Sequence, residues 1–146
     1  MKKAIVFFLA ILSALALIGV AADLSKPYSD RELIALLKKI FINWPGDRAE
    51  RLVFITEDGQ VFLFDNDDPG GVSVDRAEMS RALFLKGQSL KTVTNIIHNH
   101  ASKPGDDFSQ ADIGAYRTLK VLGFSGAFQI FYPTTGKLKT LKGEGR

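Results

Sequence analysis

Apolar residues first recur at helical spacing at Leu33, Leu36, Leu37, Ile40, Phe41 and Trp44, directly behind Ser29-Asp30-Arg31-Glu32. That run has the form S-x-x-E, in which the serine and glutamate side chains each bind the other residue's backbone N–H. A helix is therefore predicted over 29–43, with its stripe and Trp44 in the core, and Pro45-Gly46 stops it. The period then changes to that of extended chain. Residues 51–56 and 61–64 are apolar and β-prone, and the Asp58-Gly59 step between them signals a hairpin. The acidic run that follows, 65–71, fails the calcium-loop pattern. Pro69 falls where the third oxygen ligand belongs and Arg76 where the bidentate glutamate belongs, so the run reads as a solvated turn.

Further along, Asp75 is placed to cap a second helix with Met79, Ala82, Leu83 and Leu85 on its apolar side and Gly87 closing it. Residues 92–98 are rich in β-branched side chains and read as a buried strand. Ser109 opens a third helix, with Ile113, Tyr116, Leu119 and Leu122 on one face and Gly123 at its end. A last hairpin joins 124–132 to 137–141 around 133–136, and a polar tail follows. Strands alternating with helices in this order predict an α/β domain, a mixed β-sheet flanked by helices, occupying residues 23–146 without internal repeats.

The front of the chain belongs to a different class. Met1-Lys2-Lys3 precedes an apolar run over 4–20 broken only by Ser13, and Val20-Ala21-Ala22 supplies the small residues of a cleavage site. Residues 1–22 read as a secretory signal peptide, with an uncleaved anchor as the alternative. The expected location is periplasmic or secreted, in a bacterium, with no membrane attachment after cleavage. Losing Lys2 and Lys3 with no acidic residue lowers the formal net charge from +3 to +1, so no nucleic-acid partner is expected from charge. The protein has no cysteine, and the exported domain must be held by its core alone.

Candidate chemistry gathers at the end of the third predicted strand. Both histidines of the protein, His98 and His100, lie two residues apart. In extended chain they project from one face while Asn99 projects from the other. With Asp112 close behind, two imidazoles and a carboxylate can make an open, hydrolytic zinc site. Ser109 and Asp112 also read as a helix N-terminus, a capping hydroxyl with an early acidic residue, and the residues alone leave both readings open.

The run His98-Asn99-His100, an interval rich in Gly and Asp, then Ser109-Gln110-Ala111-Asp112-Ile113 and a helix ending in Leu122-Gly123 resembles the JAB/MPN metalloprotease motif (JAMM), its RadC-like branch most of all. The resemblance spans about residues 50–131. It implies the JAB/MPN, cytidine-deaminase-like architecture, with Zn2+ held by His98, His100 and Asp112. It further implies that Glu50, just before the first strand, holds and deprotonates the water, and that Ser109 steadies the oxyanion. Glu57 is the other candidate base, disfavoured by its place in the hairpin turn. Two features depart from the family pattern: Ala101 stands at the position of its proline, and eight residues rather than seven separate His100 from Ser109. The implied reaction is hydrolysis of an amide, peptide or isopeptide, in a protein or peptidoglycan-type substrate. The alternative is a non-catalytic binding or immunity-type module on the same fold.

Overall fold

The computed structural model describes residues 27–42, 50–65, 72–100 and 107–142. The proposed signal peptide, Trp44, Pro45-Gly46, the acidic run after Asp65, Ala101 and the end of the polar tail lie outside the described residues. The elements follow as α1 (Asp30–Ile42), β1 (Arg51–Thr56), β2 (Val61–Asp65), α2 (Arg76–Phe84), β3 (Val93–Asn99), α3 (Gln110–Val121), β4 (Ala127–Tyr132) and β5 (Lys137–Thr140). A 3-10 turn, Leu90–Thr92, leads into β3. Among the described residues no helix is long and apolar enough to cross a membrane.

The caps form as their side chains dictate. Glu32 accepts from both the backbone N–H and the hydroxyl of Ser29, at 2.9 and 2.7 Å, and Glu32 N–H donates back to Ser29 Oγ at 3.3 Å. These bonds satisfy donors that the first turn of α1 would otherwise leave open. Asp75 likewise accepts from the N–H groups of Ala77 and Glu78 at the start of α2. That helix ends one residue earlier than its apolar pattern suggests, at Phe84. Gly87 takes a positive φ of 71°, and the Gln88 N–H closes back on Leu83 O. Leu85, counted from sequence on the apolar side, is instead 67% exposed. Six residues beyond Met79, it sits about 240° round the helix from the buried side.

Five strands form one sheet in the order β2-β1-β3-β4-β5. β3 pairs antiparallel with β1 and parallel with β4, so α3 is the crossover between the two parallel strands. The sheet is mixed, and helices cover both faces. Leu33, Leu36, Leu37 and Phe41 of α1 pack on Val53, Ile55, Ile97 and Phe131 on one face. On the other, Met79 and Leu83 of α2, with Tyr116, Leu119 and Leu122 of the α3 segment, pack on Phe54, Ile96 and Phe128. Each fully buried Leu, Ile or Phe in these layers contributes about 1.5–3 kcal/mol. The first strand of the last hairpin, β4, starts at Ala127 rather than at Phe124. The N–H of Phe124 is used to close α3 against Leu119 O at 3.0 Å, just after Gly123 at φ 105°.

Candidate metal centre

β3 delivers the histidines as its alternation requires. His98 is buried on the α2/α3 face, with its ring centroid 5.5 Å from that of Phe128 and 6.3 Å from that of Phe108. Asn99 is buried toward α1, where its Oδ1 accepts from the Arg51 N–H at 2.7 Å. His100 lies just past the strand, its N–H on Phe131 O, and returns to the face of His98 with ring centroids 5.0 Å apart.

The N-terminus of α3 faces this strand end. Ser109 Oγ accepts from the Asp112 N–H at 3.1 Å, and Asp112 Oδ2 accepts from the Ser109 N–H at 2.6 Å. The capping box fixes the Asp112 carboxylate, whose Oδ1 lies 3.2 Å from His98 Nε2 and whose Oδ2 lies 3.9 Å from His100 Nε2. Burial acts to raise the Asp112 pKa. The His98 hydrogen bond, the Ser109 N–H and the nearby imidazole charge outweigh it, holding the carboxyl well below the usual carboxylate range.

Two Nε2 atoms and a carboxylate oxygen therefore converge, and one donor atom from each residue lies within 4.8 Å of the others. The two Nε2 atoms are 3.2 Å apart. Tetrahedral zinc with ligand bonds of about 2.0–2.1 Å places neighbouring donors about 3.3 Å apart, so these separations are compatible with zinc. The group can hold a metal ion. His98 Nδ1, on the far side of the ring, is buried with no hydrogen-bond partner among the described residues.

Glu50 enters through register. β1 pairs with β3 as Leu52↔His98 and Val53↔Ile97, and the same register carried two residues further sets Glu50 opposite His100. Alternation gives Glu50, Leu52 and Phe54 one face, that of His98. Glu50 is half-buried and shares a cavity of about 370 Å³ with His98 and Asp112, walled by Phe54, Leu119 and Phe128. Glu57 lies at the opposite end of the sheet, where its N–H bonds to Thr92 O before the start of β3. Ser109 is exposed, and its hydroxyl oxygen is occupied as the helix cap.

Sequence reasoning missed the Arg51–Asp65 pair, Arg51 Nε to Asp65 Oδ2 at 2.8 Å, which lies beneath the strand end on the α1 face. Arg51 is 1% exposed. The one available signal was an arginine at a position that strand alternation makes inward-facing. The chain matches no protein-family model, no curated protein and no solved structure.

Proposed function

We propose that the protein is a zinc-dependent hydrolase of amide bonds, peptide or isopeptide, of the JAB/MPN kind, acting outside the cytoplasm once residues 1–22 are removed. The observation that supports it is the meeting of His98 Nε2, His100 Nε2 and the Asp112 carboxylate at a cavity that also admits Glu50. His98, His100 and Asp112 would hold the zinc, which would supply a Lewis acid for a carbonyl and for acidifying a water. Asp112 stays ionised because the Ser109 N–H and the positive end of α3 both favour its charge. The Glu50 carboxylate accepts a proton from the attacking water and returns it to the departing amine. Ser109, with its oxygen engaged by the Asp112 N–H, retains its own O–H to donate toward the developing oxyanion. Phe54 and Phe128 wall the cavity and limit water beside the reacting carbonyl.

Metal content of the purified protein tests this directly. One zinc per chain, lost in His98→Ala and in Asp112→Ala, is expected. Glu50→Gln should keep the zinc and lose peptidase activity. Metal-free protein whose stability is untouched by chelator would sink the reading.

A second reading rests on two observations. Ser109 and Asp112 satisfy each other as a helix cap, and among the described residues His98 Nδ1 has no acceptor of the kind that usually orients a metal-bound imidazole. Together they favour a non-catalytic binding module in which the histidines anchor the strand end. That module would fold and remain equally stable with and without zinc.

A further inference from the structure

A second cavity, of about 550 Å³, opens along α2 from Arg76 to Phe84. Arg76 and Leu122 line both this cavity and the one holding Glu50, His98 and Asp112. The two therefore adjoin along α2 and the end of α3, with His98 and Asp112 lining the far one. The end remote from those residues is walled by Phe84 and Leu90, with Arg81 beside them and no acidic residue in the lining of the second cavity. Arg76 and Arg81 are exposed, and neither forms an ion pair with another described residue. Phe84 is 78% exposed, and Leu85 and Val121 at the ends of α2 and α3 are also bare. Phe84 and Leu90 thus give one cavity an apolar wall beside the guanidinium groups of Arg76 and Arg81, the mix of apolar surface and a few polar groups that suits a recognition groove.

We propose that this groove binds an extended polypeptide segment of the substrate that carries a carboxylate side chain and a large apolar side chain on one side of the bond to be cut. This deepens the hydrolase reading and rests on it for which end of the groove reacts. α2 is nine residues long, about 13 Å at 1.5 Å per residue. Extended chain at about 3.3 Å per residue then places about four residues along it. The carboxylate meets Arg76 and Arg81, where planar guanidinium groups match carboxylate geometry. The large apolar side chain covers Phe84 and Leu90. That apolar wall favours a protein segment over a cell-wall peptide built from small side chains.

The test uses the purified full-length protein and three fluorescein-labelled peptides alternating leucine with glutamate, glutamine or lysine, read by anisotropy. The glutamate peptide should bind at least tenfold tighter than the other two, and its affinity should fall with added salt. Arg81→Glu and Phe84→Ser, both on the exposed surface, should each weaken it about tenfold, with melting temperature and metal content unchanged. In a cleavage assay Arg81→Glu should raise KM and leave kcat alone. Equal binding of all three peptides, displacement by a soluble peptidoglycan fragment as effective as by unlabelled glutamate peptide, or an unaltered Arg81→Glu variant would overturn the inference. Selective peptide binding without zinc or cleavage leaves the groove in place and removes the hydrolase reading instead. Cleavage that is indifferent to Arg81 and Phe84 does the reverse.

Discussion

Asn99 Oδ1 accepts the backbone N–H of Arg51 at 2.7 Å, joining the residue between the two histidines to the residue that follows Glu50. Both partners are buried. Beyond the last paired residues of β1 and β3, this side chain takes over the ladder and holds the candidate base strand against the ligand strand. Asn99→Ala leaves a buried N–H without its partner and should cost about 1–3 kcal/mol, read as a lower urea midpoint. If the hydrolase reading holds, kcat should fall further than zinc affinity does, because Glu50 is displaced while the histidines keep their strand.

Asp112 sets a pH dependence of stability. Its folded-state pKa lies below its unfolded value, so the ionised carboxylate stabilises the protein fully above about pH 4, and that contribution is lost as pH falls toward the folded value. In chelator-treated protein, Asp112→Asn should therefore be less stable than the parent at pH 7 by about 1–2 kcal/mol, from the lost charge-assisted cap. The gap should narrow steadily below about pH 4. Parallel denaturation curves at pH 7 and pH 3 with the same gap would contradict the assignment.

Asp58 clips the β1–β2 turn to the segment after α2. Its carboxylate accepts from Thr56 Oγ1, Gln60 Nε2 and Gln88 Nε2 at 2.5, 2.7 and 2.8 Å. Desolvation acts to raise its pKa, and these bonds together lower it. Asp58→Ala should cost about 1 kcal/mol at neutral pH, little for three bonds because the group is exposed to solvent. Hydrogen exchange should quicken locally, in the turn and around Gln88, without loss of the sheet.

Two glycines should respond in opposite directions. A Cβ on Gly126 would lie 2.1 Å from the Thr94 carbonyl oxygen and 2.6 Å from its carbon, backbone that cannot step aside, so Gly126→Ala should destabilise by about 3 kcal/mol or more. Gly114, inside α3, has nothing within 4 Å of an added Cβ. Gly114→Ala should raise stability by about 0.5–1 kcal/mol. Thermal melts of the two variants against the parent give both signs in one experiment.

Signals carried within a few residues of chain were legible in the sequence. The Ser29–Glu32 and Ser109–Asp112 caps, the Asp58-Gly59 hairpin, the buried stripe of α1 and the common face of His98 and His100 each follow from a local period or a side chain bonding to nearby backbone. Leu85 differs from the sequence expectation because six residues beyond Met79 it points about 240° round the helix from the buried side.

What only the tertiary structure decided is what depends on pairing between distant segments. The β2-β1-β3-β4-β5 order, the register that sets Glu50 opposite His100, the Arg51–Asn99 and Arg51–Asp65 links, and the groove between α2 and the end of α3 have no local signature. Strand register is chosen by which faces bury together across the whole sheet, and a shift of one residue would turn Glu50 to the opposite face. The sequence by itself determined which side chains were available for the site and which way each would point along its own element. Long-range burial of two apolar faces determined which of them meet.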